Sequence, residues 1–330
     1  MNDIRTSHVL VTGGAGFIGS HLVEKLLSDG NQVVVIDDLS TGNLENLRAV
    51  RSHPGLRLLV SKISACAELA EVLAGAESVY HLAAAVGVDL VVSSPIRVLE
   101  TNLHETEVLL KAAAAQCTPV LLTSTSEVYG KSQQPAFSED DDLLIGPPQQ
   151  ARWGYACSKL MDEFLALAYA RQNSLPVVIA RLFNTVGPRQ TGQYGMVLPR
   201  FISAAREGRP LKVFGDGLQT RCFCYVTDVV EALVRLQNCP AARGQVFNVG
   251  STEELTIVEL ARAVIARLGS NSSIELVPYN QAYAPGFEDM RRRKPLVDKL
   301  FKTIGFRPAT PLGRIIELTA AVASRVESNQ

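Results

Sequence analysis

The chain has 330 residues and a formal net charge of −1, with 32 lysines and arginines against 33 aspartates and glutamates. This length exceeds what one hydrophobic core usually serves, so we expect two packed lobes. The near balance of charge leaves no large basic field for nucleic acid or for an anionic membrane surface. The sequence has no stretch of about 18 uncharged apolar residues, the length that a membrane span needs, so we expect no membrane partner.

Residues Met1 to His8 are polar and lead directly into a strand pattern, where a secreted protein would carry an apolar signal region. We therefore expect a cytoplasmic protein. The six cysteines are dispersed and form no C-x-x-C pair. The sequence thus indicates neither a metal site nor a disulfide framework.

A glycine-rich turn follows the first strand pattern. His8 to Thr12 is followed by Gly13, Gly16 and Gly19, and a helical pattern then runs from Ser20 to Leu27. Glycines permit a tight turn and let backbone N–H groups and the helix N-terminus approach a pyrophosphate. Because the glycines stand between a strand and a helix, they predict a dinucleotide site.

An acidic residue ends the second strand pattern. Asp37 follows Gln32 to Ile36 and comes 18 residues after Gly19. A carboxylate at this place binds the hydroxyl groups of the adenosine ribose and repels a 2′-phosphate, so it favours NAD over NADP. The loop of Ser40, Thr41 and Gly42 is expected to close over the adenosine.

Strand and helix patterns alternate over the next segments, which are Leu56 to Val60, Cys66 to Leu73, Ser78 to Leu82, Pro95 to Ala115 and Val120 to Ser124. This alternation predicts an α/β fold with a Rossmann-type doubly wound parallel sheet and a smaller C-terminal substrate-binding lobe. Ligands bind at the carboxyl ends of such strands, which places Thr125, Ser126 and Glu127 on the cofactor side.

Tyr155 and Lys159 open a helical pattern that continues from Leu160 to Ala170. In a helix they lie one turn apart on the same face. An ammonium beside a phenol stabilises the phenolate, so the tyrosine can take a proton near neutral pH. This pair often occurs by chance, but the glycine turn, Asp37 and Thr125 favour a catalytic interpretation.

Together, the glycine turn, the segment Thr125 to Gly130 and Tyr155-x-x-x-Lys159 resemble the extended short-chain dehydrogenase/reductase superfamily. Within it, the chain is most similar to the nucleotide-sugar epimerases, dehydratases and decarboxylases. The resemblance spans nearly the whole chain, because further matching segments are Arg181 to Arg189, Phe214 to Arg221 and Arg292 to Pro295.

The resemblance implies that NAD is the cofactor and that Tyr155 is the base. It implies that Lys159 lowers the pKa of Tyr155 and holds the nicotinamide ribose, while Thr125 positions or relays the proton. The implied cofactor contacts are Gly13, Gly16, Phe17, Ile18, Gly19, Asp37, Ser40, Thr41, Gly42, Ile63, Leu82, Ala83, Ala84, Asn102, Ser124, Tyr155 and Lys159.

The small residues Ala83 to Ala85 leave space at a strand end, and Asn102 is a candidate to clamp that loop. Many relatives carry aspartate at the position of Lys62, where it accepts a hydrogen bond from the adenine amino group. Lysine cannot accept this bond, so we expect one adenine contact to be missing.

The reactions of these relatives diverge after oxidation of the sugar at C4. Reduction on the other face gives epimerisation, loss of the 6-hydroxyl gives dehydration, and a C6 carboxylate is lost as carbon dioxide. Dehydratases usually carry an aspartate where this chain has Ser126, and a serine hydroxyl is a poor acid. The sequence therefore favours dehydration less than the other two reactions.

Glu127, Arg152 and Trp153, and the segment Gly286 to Asp289 before Arg293 resemble UDP-glucuronate decarboxylases, a group that includes UDP-xylose synthases. This implies that Glu127 and Arg293 are catalytic beside the sugar carboxylate. We expect decarboxylation of UDP-glucuronate to UDP-xylose or its 4-keto precursor. The alternatives are a UDP-hexose or UDP-hexuronate 4-epimerase and, less favoured, a 4,6-dehydratase or a non-catalytic NAD-binding subunit.

Beyond Asn184 the alternation of strands and helices breaks. We assign residues 1–183 and 213–250 to an NAD-binding domain and residues 184–212 and 251–330 to a nucleotide-sugar-binding lobe. Residues 279–289 are a candidate lid, and Thr256 with Glu259 predicts a helix capping box. The expected substrate contacts are Ser126, Asn184, Val197, Phe214, Gln219, Arg221 and Arg293.

The apolar stripes of residues 95–115 and 160–170 exceed what one face of a sheet needs. In the similar family the equivalent helices form a four-helix bundle between subunits, which implies a homodimer.

Overall fold

The computed structural model describes residues 7–87, 93–150, 152–190, 196–282 and 290–327. Its largest sheet has seven parallel strands in the order β3-β2-β1-β4-β5-β6-β11. The thirteen described strands are β1 (His8–Thr12), β2 (Val33–Asp37), β3 (Leu56–Val60), β4 (Ala76–His81), β5 (Val120–Thr125), β6 (Val177–Leu182), β7 (Thr185–Val186), β8 (Leu211–Phe214), β9 (Thr220–Cys222), β10 (Cys224–Tyr225), β11 (Gln245–Val249), β12 (Glu254–Thr256) and β13 (Ile274–Val277). The strand order reverses at β1 and β4, which leaves a crevice at the carboxyl ends of these strands.

The predicted doubly wound sheet is confirmed, with helices on both of its faces. The described helices are α1 (Phe17–Ser28), α2 (Leu69–Gly75), α3 (Pro95–Gln116), α4 (Arg152–Asn173), α5 (Val197–Arg206), α6 (Val226–Gln237), α7 (Ile257–Leu268), α8 (Tyr279–Ala282), α9 (Asp298–Ile304) and α10 (Leu312–Glu327). Side chains alternate between the faces of a strand, so β1 contributes Val9 and Val11 to one core cluster and Leu10 to another. The central strands are therefore apolar on both faces.

A second lobe packs around its own apolar cluster, which includes residues of α5, α7 and α10. Strand β8 pairs with β13 outside the large sheet, and Val213 is buried in the second cluster. Residues 213 and 214 thus pack with the smaller lobe, although the sequence placed them in the NAD-binding domain. Strand β11 returns to the large sheet beside β6 as expected. The rest of the predicted division stays a prediction.

Several local features bear on the site. The capping box is confirmed, because Thr256 and Glu259 bond to each other's backbone N–H groups at the start of α7. The candidate lid begins with the short helix α8, whereas residues 283–289 lie outside the described residues. In the described part of the chain, no helix has the length and apolar character needed to cross a membrane.

Candidate active site

A cavity of about 720 Å³ lies at the carboxyl ends of the central strands. It is lined by strand-end residues such as Gly13, Asp37 and Thr125, and on another side by Val197 and Phe214. All of the predicted site residues line it except Asn102 and Ser126. Side chains far apart in the sequence are therefore gathered around one volume.

The glycine turn forms one end of the cavity wall. Gly13 has a φ of +72°, and a Cβ atom there would lie 2.7 Å from the backbone nitrogen of Ala83. A Cβ atom on Gly19 would lie 2.1 Å from the carbonyl oxygen of Gly13. Larger residues would push the turn away from β4 and from α1. The turn therefore keeps the N-terminus of α1, with its unpaired N–H groups, against the cavity.

Asp37 lies at the end of β2 and is buried. Its two carboxylate oxygens accept hydrogen bonds from the backbone N–H groups of Ala15 and Leu39, each at 2.8 Å. Burial raises the pKa of Asp37, and these two hydrogen bonds act in the opposite direction. A Cβ atom on Gly42 would lie 2.9 Å from the carboxylate, so glycine lets the loop of residues 40–42 approach it closely.

Asn102 acts behind the cavity wall. Its Oδ1 atom accepts a hydrogen bond from the Ala85 N–H at 2.7 Å, and its Nδ2 atom donates to the Ala85 carbonyl at 3.3 Å and the Ser158 hydroxyl at 3.1 Å. The side chain thus clamps the loop after β4 to α4. Its predicted clamping role fits this geometry, but among the described residues it belongs to the support of the wall and not to its lining.

Tyr155 lines the cavity, as do Thr125 and Glu127 at the end of β5. A hydrogen bond with Thr125 lowers the pKa of its phenol, while burial and the Glu127 carboxylate raise it. The positive charge that opposes this rise belongs to Arg293. Burial has the largest effect, so the pKa of Tyr155 lies above its ordinary value.

Lys159 also lines the cavity and is buried. Its Nζ atom donates to Oδ2 of Asp162 at 2.8 Å, which forms an ion pair inside the protein. The sequence did not identify Asp162 as a partner, although its position three residues after Lys159 is within reach on a helix. The role of Lys159 toward Tyr155 stays a prediction.

A cluster of charged side chains lies beside Tyr155. Arg293 donates from Nη2 to the Ser126 hydroxyl at 2.7 Å and from Nη1 to Oε1 of Glu127 at 3.3 Å. Arg152, at the start of α4, places its guanidinium 3.9 Å from the same carboxylate. The segment with Arg293 is joined to the chain between β5 and α4, because the Phe137 N–H donates to the Lys294 carbonyl at 2.8 Å. Ser126 is thus a support for Arg293.

The segment of residues 184–221 contributes the remaining predicted substrate residues. Gln219 donates to the Phe214 carbonyl at 3.0 Å, and Asn184 donates to the Cys222 carbonyl at 3.2 Å. Arg221 donates to the Thr220 carbonyl, and the guanidinium of Arg200 lies 4.3 Å from the centre of the Phe214 ring.

Other lining residues were not predicted as site residues. They include the polar or cationic side chains Lys62, Arg152, Arg189, Arg200 and Lys212. Arg152 was noted only as part of a resemblance. The sequence signal for the others was weak, because their distance from the cavity depends on how distant segments pack.

The profile of the NAD dependent epimerase/dehydratase family matches residues 9–250. The chain belongs to the NAD dependent epimerase/dehydratase family.

Two relatives in sequence are decarboxylases by name. The chain is 42% identical over 300 residues to UDP-N-acetyl-α-D-glucosaminuronate decarboxylase of Bacillus cytotoxicus, with 91% of this chain and 92% of that one covered. It is 36% identical over 315 residues to UDP-glucuronic acid decarboxylase 3 of Arabidopsis thaliana, with coverage of 92% and 85%. Among solved structures, the UDP-glucuronic acid 4-epimerase of Bacillus cereus, in complex with UDP-glucuronic acid and NAD, matches with a TM-score of 0.86, 28% identity and coverage of 97% and 99%.

The resemblance found in the sequence is therefore confirmed, and NAD is the cofactor of this family. The cavity fits NAD in three respects. The glycine turn leaves room for a pyrophosphate where a Cβ atom would collide with backbone. The Asp37 carboxylate lies beside the loop of residues 40–42 at one side of the cavity. Ala83 and Ala84 line the neighbouring wall with small side chains, which leaves space for the cofactor.

Proposed function

We propose that this chain catalyses the NAD-dependent decarboxylation of a UDP-hexuronate, with UDP-glucuronate as the reference substrate. The observation that carries the proposal is the cluster of Arg293, Arg152 and Glu127 beside Thr125 and Tyr155. Two guanidinium groups near a catalytic tyrosine provide a place for a sugar carboxylate, because arginine matches carboxylate geometry with paired donors.

In the proposed reaction, bound NAD supplies the acceptor for a hydride from C4 of the sugar. Tyr155 takes the proton of the C4 hydroxyl, and Thr125 orients the phenol through their hydrogen bond. Burial raises the pKa of Tyr155, so deprotonation depends on positive charge gathered around the phenol. Arg293 supplies such a charge, and Lys159, which lines the same cavity, is proposed as a second source.

Once C4 is a ketone, the C6 carboxylate is part of a β-keto acid. The electron pair of the C5–C6 bond moves toward the ketone, which forms an enolate as carbon dioxide leaves. Arg293 is held by Ser126 and Glu127, so its charge can remain fixed beside the reacting carbons. Glu127 keeps Arg293 and Arg152 together at this end of the cavity.

At the other end of the substrate, we propose that the nucleoside diphosphate binds to the smaller lobe. Arg221 supplies a diphosphate ligand, while Phe214, Val197, Asn184 and Gln219 surround the nucleoside. The cavity is continuous from these residues to Tyr155, which supports one bound nucleotide sugar.

The second candidate is a UDP-hexuronate 4-epimerase. It is favoured by the structural match to the UDP-glucuronic acid 4-epimerase, whose substrate also carries a carboxylate. The arginine cluster alone therefore does not distinguish the two reactions. The sequence relatives named as decarboxylases, at higher identity, support decarboxylation.

The test is incubation of the NAD-loaded protein with UDP-glucuronate, its 2-acetamido analogue and UDP-glucose in separate reactions. Products are identified by mass spectrometry and NMR, and carbon dioxide is trapped. Loss of carbon dioxide from either hexuronate supports the proposal, and Tyr155→Phe serves as the inactive control. An unchanged mass with inverted C4 identifies the epimerase, and no product with any substrate leaves a non-catalytic NAD-binding protein.

We also propose that the chain forms a homodimer through α3 and α4. Ile96 on α3 and Met161 and Phe164 on α4 are more than half exposed, at 70%, 54% and 58%. Three large apolar side chains on two packed helices favour a partner surface. Analytical ultracentrifugation of Phe164→Glu beside the parent protein tests this, because a charge there should yield monomers.

All six cysteines are free thiols, which supports a cytoplasmic location.

A further inference from the structure

The ammonium of Lys159 forms a buried ion pair with the carboxylate of Asp162, a residue that the proposed reaction does not use. Asp162 is fully buried, with 0% of its side chain exposed against 3% for Lys159. Its Oδ1 atom has no hydrogen-bond partner among the described residues. A buried carboxylate loses its hydration, so a position that only filled the core would favour an apolar residue.

The groups around this pair come from three elements. On α4, Lys159 lowers the pKa of Asp162 and Glu163 raises it, while burial has the largest effect and raises it. From α3, the nearby Thr106 hydroxyl lowers the same pKa. From β4, His81 contacts Thr106 at 2.9 Å, and burial and the charge of Lys159 lower its pKa to about 3.

His81 is therefore neutral near pH 7 and cannot compensate either member of the pair. It also contacts the Thr12 hydroxyl at 2.7 Å, next to the glycine turn. The pair thus lies beside a network of neutral donors and acceptors on α3 and β4, while Glu163 adds a negative charge on α4. Lys159 depends on Asp162 as its charged partner within this network.

We propose that Asp162 is a positioning residue that holds Lys159 and limits how far positive charge stabilises the Tyr155 phenolate. The carboxylate directs the ammonium along α4 and offsets its charge. Besides burial, the negative charges of Glu127 and Asp162 raise the pKa of Tyr155. The charge of Arg293 and a hydrogen bond with Thr125 lower it. The inference rests on the proposed function, in which Tyr155 accepts a proton.

The proposal predicts the direction of a pH shift. Replacing Asp162 by an uncharged residue removes a negative charge near the phenol and leaves the ammonium of Lys159 uncompensated. Both changes favour the phenolate, so the titration of Tyr155 should move to lower pH by on the order of one unit. A side chain with a purely structural role would not move the titration in this direction.

The experiment measures the titration of Tyr155 without turnover, so that it remains informative if the substrate is wrong. Tyrosinate absorbance is recorded against pH for the NAD-loaded protein and for the same protein with Tyr155→Phe, and the difference isolates Tyr155. The measurement is repeated with Asp162→Asn and with Asp162→Thr, whose smaller side chain can still accept from Lys159. NAD content and thermal unfolding are measured on every sample.

Asp162→Glu should restore the parent titration, because it retains the charge. Thr106→Val changes the same buried region but leaves every charge in place. It should therefore leave the pKa of Tyr155 within about a few tenths of a pH unit of the parent value. A downward shift in either uncharged variant, absent in Thr106→Val, supports the proposal. An unchanged or upward-shifted titration in folded, NAD-loaded protein overturns it. Absence of product from UDP-hexuronates in the parent protein refutes the proposed function instead.

Discussion

Arg293 and Glu127 form a contact that joins two distant parts of the chain, with Nη1 of the arginine 3.3 Å from Oε1 of the glutamate. Both side chains are mostly buried, at 11% and 16% exposed. An ion pair of this kind beside Tyr155 restricts where the guanidinium can go. The contact therefore connects the fold of the C-terminal segment to the proposed chemistry.

Replacement of Arg293 by lysine should reduce kcat/KM for UDP-glucuronate. Lysine retains the charge but cannot donate to both Ser126 and Glu127 with a planar fork. Loss of one such charged hydrogen bond corresponds to about a tenfold to hundredfold decrease. Steady-state kinetics measure it.

The neighbouring Arg292 offers a matched control for this variant. It pairs with Glu254 and is about half exposed, and it is not among the residues that line the cavity. Arg292→Lys should leave kcat/KM within about twofold of the parent, because an exposed pair contributes little. Equal losses in both variants would show that any arginine-to-lysine change in this segment lowers activity, and would contradict a specific role for the contacts of Arg293.

Replacement of Glu127 by glutamine should suppress release of carbon dioxide more than NAD binding. The amide keeps the shape but releases Arg293 and Arg152 from their shared carboxylate. We expect a decrease in kcat of about 10²-fold, the usual size for a group that acts in proton transfer or charge placement. Trapped carbon dioxide and bound NAD are measured on the same samples. Carbon dioxide release at the parent rate would contradict the role of Glu127.

The sequence predicted those parts of the fold and of the site that local pattern determines. The glycine turn, Asp37 and the capping box at Thr256 each depend on residues close in the chain, and the sheet followed from the alternation of strands and helices. The relation of Lys159 to Asp162 was missed because a residue pair at helical spacing does not reveal which side chain is buried. The contact of Arg293 with Ser126 depends on how segments 167 residues apart pack, which no local pattern contains.

Replacement of Asn102 by alanine should weaken NAD binding without direct loss of a cofactor contact. The variant leaves the N–H and carbonyl of Ala85 without their partner, which costs about 1–3 kcal/mol and loosens the loop after β4. Isothermal titration calorimetry measures the affinity for NAD, and urea unfolding measures the stability of the variant. Asn31→Ala is the control, because Asn31 also bonds to a backbone carbonyl but lies outside the described cavity lining. It should lose stability only, and an equal loss of NAD affinity would refute the clamp.

The stability of the fold should fall as pH falls below the ordinary pKa of histidine, because His81 is buried in its neutral form. Burial lowers its pKa from 6.5 to about 3, so the unfolded chain binds a proton in this range that the folded chain does not. The stabilisation is complete above pH 6.5 and is lost progressively toward pH 3, by about 1.4 kcal/mol per pH unit. Urea unfolding at several pH values measures this slope. His81→Asn should flatten it, while His104→Gln, at an exposed position, should retain the parent slope. Parallel curves for the parent and His81→Asn would assign the acid sensitivity to other groups.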